Sequence, residues 1–143
     1  MSTYFDTSFL FSVYIEDTHS SRTFAQLAHL KRPFKIGSLL YFELRHSLHF
    51  AVARKGMPPE IGLGAISDLD NEIANGDVLL IPCDWELVHQ TANRIDAQYT
   101  LQKGYRALDI LHVATALALG AKEFLTFDQT QSQLAKAEGL RTL

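Results

Sequence analysis

The stretch RALDILHVATALALGAKEFLTFD, residues 106–128, contains a helix pattern followed directly by a strand pattern. Its long apolar part predicts a helix over Ala107–Leu119, and Gly120 is a typical residue for the end of such a helix. The segment Glu123–Phe127 is short and rich in apolar and aromatic residues, which predicts a buried strand. A helix that leads into a buried strand is the repeating unit of a parallel α/β sheet.

Strand and helix patterns alternate along the rest of the chain in the same way. The predicted strands are Thr3–Phe5, Phe34–Gly37, Val78–Ile81, Glu123–Phe127 and Arg141–Leu143. The predicted helices are Ser8–Ile15, Ser20–Leu30, Leu39–Lys55, Pro59–Asn75, Trp85–Gln98, Ala107–Leu119 and Gln129–Ala137. Short apolar strands separated by helices are typical of an α/β fold in which the sheet is parallel and doubly wound.

The length and composition of the chain predict one domain that spans residues 1–143, with 47% hydrophobic residues to fill its core. Cys83 is the only cysteine, so no internal disulfide can form and a reducing cytoplasm is the expected location. The start MSTYFDTSFLF lacks the basic segment of a signal peptide, and no stretch reaches the roughly 18 apolar residues of a membrane span. We therefore expect a soluble protein with no membrane partner.

Four acidic residues lie where a parallel α/β fold would bring them together. Asp6 and Asp128 follow predicted strands, whereas Glu43 and Asp109 lie early in predicted helices. Carboxylate oxygens are the ligands that Mg²⁺ and Mn²⁺ prefer, and acids in a dry cleft cost free energy unless a cation compensates them. The pattern predicts a divalent metal site and a metal-dependent phosphodiesterase.

Three of these acids also have ordinary structural explanations. Asp6 could be a turn residue or a helix cap, and Asp109 could be a first-turn acid that the helix dipole stabilises. Asp128 precedes Gln131 by three residues, a spacing that predicts a capping pair. Structural roles at all four acidic positions together are less expected than one shared site.

Glu43 lies beside an apolar stripe on the predicted helix Leu39–Lys55, where an unpaired acid is unfavourable. The stripe consists of Leu40, Leu44, Leu48 and Ala51. The structural alternative to a metal ligand is an ion pair with His46, or with Arg45 if that side chain folds back.

Polar residues next to the acids could serve a substrate. The hydroxyl of Thr7 or Ser8 could contact a metal-bound water, although Ser8 could equally cap a helix. Arg106 could clamp a phosphate and Tyr105 could stack on a base. The alternative for both is an exposed loop tip that binds nothing.

The overall charge does not decide whether the partner is a nucleic acid. The chain has 16 acidic and 13 basic residues, which gives a net charge of −3. A phosphate binder often has a basic surplus, but acids that bind a cation would remove much of this imbalance. Charge neither supports nor excludes RNA.

Four segments together resemble the PIN-domain family, and within it the ribonuclease toxins of VapBC-type toxin–antitoxin modules. The matching segments are YFDTSFL, YFELRHSL, RALDILHVATALALGAKEFLTFD and QSQLAKAEGLRTL. The resemblance implies an α/β/α sandwich with a parallel five-stranded sheet, and RNA cleavage that depends on Mg²⁺ or Mn²⁺. It also implies catalytic and metal-binding roles for Asp6, Glu43, Asp109 and Asp128, and a polar role for Thr7 or Ser8.

The same resemblance implies two protein partners. One is a small antitoxin, and the other is a second copy of the chain in a homodimer, for which the predicted helices Ser20–Leu30 and Leu39–Lys55 could supply a face. The alternative is a non-catalytic PIN-like module that binds RNA or serves as a scaffold. A phosphatase with an aspartate nucleophile is disfavoured, because it needs a second Asp where this chain has Ser8.

Overall fold

Strands and helices alternate along the chain in the predicted order. A computed structural model describes residues 1–143, which fall into two units: Met1–Asp6 together with Pro82–Leu143, and Thr7–Ile81. The strands are β1 (Thr3–Phe5), β2 (Phe34–Gly37), β3 (Val78–Ile81) and β4 (Glu123–Leu125). The α-helices are α1 (Thr7–Tyr14), α2 (Ser20–Leu27), α3 (Ser38–Ala53), α4 (Pro59–Asn75), α5 (Trp85–Ile95), α6 (Leu101–Lys103), α7 (Ala107–Ala118) and α8 (Gln129–Ala137).

All strand pairing is parallel, as predicted. In the unit that contains both termini, β1 pairs with β4 so that Phe5 lies opposite Leu125. In the unit Thr7–Ile81, β2 pairs with β3, and the helices α3 and α4 form the crossover between them. The chain therefore has the mixed α/β fold with parallel strands that the resemblance implied.

The predicted count of five strands in one sheet is not confirmed. The structure has two pairs of strands, and the predicted strand Arg141–Leu143 is reduced to a single bridge between Arg141 and Glu123. Strand β4 ends two residues early, at Leu125. The physical reason is local, because the Thr126 hydroxyl accepts a hydrogen bond from the backbone N–H of Asp128, and this closes a turn.

One predicted helix is divided in the structure. The segment Trp85–Gln98 was expected to be a single α-helix, but α5 ends at Ile95 and residues Asp96–Thr100 form a π-helix before α6 begins. The left-handed backbone of Gly104 then ends the helical segment. The other helices match their predicted bounds within three residues, and none of the helices is both long enough and apolar enough to cross a lipid bilayer.

The core of the unit that contains both termini is built around α7 and the β1–β4 pair. The Tyr4 and Phe124 rings stack with their centres 5.3 Å apart, and the Tyr4 hydroxyl is hydrogen-bonded to Nδ1 of the buried His112 at 2.8 Å. Tyr105 is also buried here and lies edge-on to Tyr99. These contacts fix the start of α7, which carries one of the predicted ligands.

In the unit Thr7–Ile81, α3 and α4 pack closely against each other. Leu40, Leu44 and Leu48 of α3 are buried, as the apolar stripe predicts. Gly62 of α4 faces α3, where an added Cβ would lie 2.5 Å from a methyl carbon of Val52. The side chain therefore has to be absent at this point for the two helices to approach.

Candidate functional site

Asp6 is buried at the carboxyl end of β1, with 3% of its surface exposed. Its backbone N–H donates to the carbonyl oxygen of Leu125 at 3.0 Å, which extends the pairing of β1 with β4 by one residue. Because the two strands are parallel, their carboxyl ends lie at the same edge of the pair. Asp128 follows β4 by three residues, so two predicted ligands come from this edge.

Asp109 lies in the first turn of α7 and is also buried, at 7% exposure. Each of its carboxylate oxygens accepts a hydrogen bond. Arg106 Nε donates to Oδ2 at 3.2 Å, and Gln131 Nε2 donates to Oδ1 at 3.2 Å. Two hydrogen-bond donors and the positive end of the helix dipole therefore face this carboxylate.

Asp128 is the N-cap residue of α8, as the capping prediction stated. Its Oδ1 accepts a hydrogen bond from the backbone N–H of Gln131 at 3.0 Å. Its Oδ2 lies 3.9 Å from Nη2 of Arg106. The capping role is confirmed, and it leaves one oxygen of the carboxylate directed toward the same guanidinium that contacts Asp109.

Arg106 thus lies between two of the predicted ligands. Its side chain is 77% exposed, so solvent weakens both of its ion pairs. A single cationic group is shared by the carboxylates of Asp109 and Asp128. Two carboxylates that face one positive charge offer the oxygen ligands that divalent cations such as Mg²⁺ prefer.

Glu43 and Thr7 belong to the other unit and contact each other. Thr7 begins α1, and its hydroxyl donates a hydrogen bond to Oε2 of the Glu43 carboxylate. The two alternative partners of Glu43 are engaged elsewhere, because Arg45 binds Asp70 at 2.8 Å and His46 stacks on neighbouring rings. The hydrogen bond from Thr7 orients the Glu43 carboxylate.

Within either unit taken alone, no three acidic, histidine or cysteine side chains lie close enough together to hold a metal ion. Asp6, Asp109 and Asp128 belong to the unit with both termini, and Glu43 belongs to the unit Thr7–Ile81. Ser8 lies in the first turn of α1 and is partly buried. The donor set consists of carboxylate and hydroxyl oxygens, which suits Mg²⁺ or Mn²⁺ rather than a thiolate-binding metal.

Gln131 was not predicted to contact an acid. The capping pattern predicts that its side chain turns back toward the N-cap residue, but it reaches Asp109 of α7 instead. Local sequence does not predict this contact, since Asp109 lies 22 residues earlier in the chain and on another helix. The expectation that Tyr105 stacks on a nucleic-acid base is wrong, because Tyr105 is buried and a base cannot reach it.

Comparison with known proteins places these features in a family. The family model described as the PIN domain matches residues 3–137. No curated protein matches the chain. Among the solved structures that match, VapBC-1 from nontypeable Haemophilus influenzae is 17% identical, with a TM-score of 0.64 over 100% of this chain and 97% of that chain. FitAcB from Neisseria gonorrhoeae is also 17% identical, with a TM-score of 0.66 over 99% of this chain and 96% of that chain. At this identity the two structures demonstrate a shared fold.

Proposed function

Because the chain belongs to the PIN domain family, whose members are generally nucleases that use divalent metal ions, we propose that it is an endoribonuclease dependent on Mg²⁺ or Mn²⁺. The observation that carries the proposal is the burial of Asp6 and Asp109. Carboxylate oxygens are the ligands that Mg²⁺ and Mn²⁺ prefer, and Asp109 and Asp128 already face one positive charge, the guanidinium of Arg106. A divalent cation would bind oxygens of the same kind.

The proposed ligands are Asp6, Asp109 and Glu43, with Asp128 acting directly or through water. A cation held by these residues would lower the pKa of a nearby water and would stabilise negative charge on the scissile phosphate. The Thr7 hydroxyl orients Glu43 through their hydrogen bond. Ser8 is a second hydroxyl next to the site in the sequence, and we propose that it contacts the substrate or a water.

Arg106 is proposed to bind the RNA backbone. A guanidinium group forms charge-assisted hydrogen bonds with phosphate oxygens. The largely exposed side chain of Arg106 has room to turn from the carboxylates toward a phosphate. When a divalent cation occupies the acids, it would compete with the guanidinium for the same oxygens and favour this movement.

We propose a small protein antitoxin as the natural partner. The names VapBC-1 and FitAcB belong to structures of the same fold, which supports a toxin role for this chain. The unit Thr7–Ile81 has a groove of about 700 Å³ lined in part by Tyr14, Phe24, Leu27 and Glu72. Apolar side chains line this groove together with the acids Asp68 and Glu72 and the base Arg32, a mixture that suits an amphipathic helix with charged residues along one side.

A homodimer is proposed on separate grounds. Phe42 and Phe50 of α3 are both exposed, at 67% and 46%, although they are large apolar side chains. Burial of such residues against a second copy would be favourable. Sedimentation of the purified chain over a range of concentrations would test this assembly.

The direct test of the function is RNA cleavage mapped at nucleotide resolution with and without Mg²⁺ or Mn²⁺. We expect discrete cuts that require the cation and disappear in Asp109→Asn. Cleavage that persists in a chelator would contradict the metal-dependent mechanism. RNA binding without cleavage under any metal condition would favour the alternative, a non-catalytic PIN-like RNA-binding module.

A further inference from the structure

Gln131 is buried between α7 and α8, with 4% of its surface exposed, but it uses only half of its side-chain amide. Its Nε2 donates to Oδ1 of Asp109 at 3.2 Å. Its Oε1 is fully enclosed and has no hydrogen-bond partner. A buried amide oxygen without a partner is unfavourable, so its retention requires an explanation.

The orientation of the amide follows from the chemistry of its neighbour. An ionised carboxylate only accepts hydrogen bonds, so the NH₂ group of Gln131 must face Asp109 and the oxygen must face away. Turning the amide over would satisfy neither residue, because two acceptors would then face each other. The unpartnered oxygen is therefore a consequence of the contact with Asp109.

The two donors to Asp109 differ in their exposure to solvent. Arg106 is largely exposed and contacts two acids, so a cation or a phosphate can displace it. Gln131 is enclosed, and its backbone N–H is fixed by the Asp128 cap. Gln131 is thus the partner that keeps the Asp109 carboxylate in place when Arg106 moves.

We propose that Gln131 is a positioning residue of the metal site: its amide N–H fixes the orientation of the Asp109 carboxylate. The inference rests on the proposed function. A side chain that only filled the space between α7 and α8 would not need an amide donor. Its presence despite the unpartnered Oε1 favours a role for the hydrogen bond from Nε2 to Asp109.

Two substitutions separate positioning from packing. Gln131→Met keeps the approximate shape of the side chain and removes both polar atoms. Gln131→Glu keeps the acceptor but removes the donor, and it places a second carboxylate against Asp109. Gln133→Met is the matched control, because Gln133 is exposed on the same helix.

The test measures Mn²⁺ affinity by calorimetry and the thermal shift that Mn²⁺ produces, both without RNA. For Gln131→Met we expect an affinity about ten- to a hundred-fold weaker than that of wild type and a smaller thermal shift. For Gln131→Glu we expect a lower melting temperature without metal and a larger thermal shift with it, because the cation relieves the repulsion between the acids. Gln133→Met should match wild type.

Wild-type Mn²⁺ affinity in Gln131→Met would overturn the positioning role and leave the proposed function intact. A thermal shift in Gln131→Glu no larger than that of wild type would count against it in the same way. If the wild-type protein binds no Mn²⁺, the proposed function fails and this inference fails with it.

Discussion

Asp128 performs two tasks with its two carboxylate oxygens, and they can be separated by substitution. One oxygen caps α8 and the other faces Arg106. Serine caps a helix about as well as aspartate, so Asp128→Ser should change the free energy of unfolding by less than about 1 kcal/mol. Because the metal role requires the charge, RNA cleavage should fall by at least about ten-fold.

Chemical denaturation and cleavage at limiting Mg²⁺ would measure both effects. Asp128→Asn is a stricter companion variant, since it also keeps the shape of the side chain. Wild-type cleavage rates in both variants would mean that Asp128 is only a helix cap, and the proposed site would contract to three acids.

Substitution of Glu43 tests whether this residue takes part in the proposed function. Glu43→Gln is nearly isosteric, and its amide oxygen can still accept the hydrogen bond from Thr7. We expect RNA cleavage to be abolished while the melting temperature stays the same or rises, since the substitution removes one negative charge from the proposed set of ligands. Thr7→Val should retain the charge and lose only part of the activity. A destabilised Glu43→Gln variant that still cleaves RNA would indicate that Glu43 has a packing role.

At the residue scale, the sequence predicted the local contacts of the acids better than the distant ones. The Asp128 cap was predictable because a cap and its N–H lie within four residues of each other. The partners of Glu43 and Asp109 were not, because Thr7 and Gln131 are distant in sequence and meet them only through tertiary packing. Local rules do not contain that information.

At the element scale, Gly62 and Gly64 provide a matched pair within α4. A methyl group at Gly62 would meet Val52 and the Met57 sulfur, whereas one at Gly64 would meet nothing within 4 Å. Gly64→Ala should stabilise the protein by up to about 1 kcal/mol through helix propensity. Gly62→Ala should instead destabilise it, by roughly 1–2 kcal/mol, because overpacking outweighs the same gain.

Thermal or urea unfolding of the two variants side by side would measure the difference. Equal stabilisation in both would contradict the close packing of α3 against α4. The comparison has the advantage that each variant undergoes the same chemical change on the same helix.

Elements were predicted well wherever local signals marked both ends. The bounds of α4 match its prediction because Pro59 starts the helix and the left-handed Gly76 follows its last residue. The π-helix Asp96–Thr100 was missed because its sequence contains neither glycine nor proline. The end of β4 was missed because the turn formed by Thr126 depends on a hydroxyl contact rather than on apolar pattern.

At the scale of the whole molecule, acid should weaken a contact that joins α5 to the end of α8. Arg94 donates two hydrogen bonds to Glu138, and together with the Tyr99 hydroxyl it lowers the pKa of Glu138 below its ordinary value of 4.5. A carboxyl group whose pKa is lowered in the folded state stabilises the protein at any pH above its ordinary pKa. This stabilisation is lost as the pH falls through the lowered pKa.

Glu138→Gln should therefore be less stable than wild type at neutral pH, and the difference should shrink as the pH falls below 4.5. Melting temperatures of both proteins from about pH 7 to about pH 3 would measure this trend. Glu86→Gln is the control, because Glu86 is exposed on α5. A difference between wild type and Glu138→Gln that does not change with pH would contradict the assigned electrostatic contact.

The central claim is that acids from separate parts of the chain form one divalent metal site, and a Mn²⁺ titration by calorimetry tests it most directly. We predict that wild type binds Mn²⁺ and that Asp6→Asn and Asp109→Asn each weaken the affinity at least about ten-fold while the proteins remain folded. Asp96→Asn, at an exposed acid outside the proposed site, should bind as wild type does. Unchanged Mn²⁺ affinity in both Asp6→Asn and Asp109→Asn would contradict the claim.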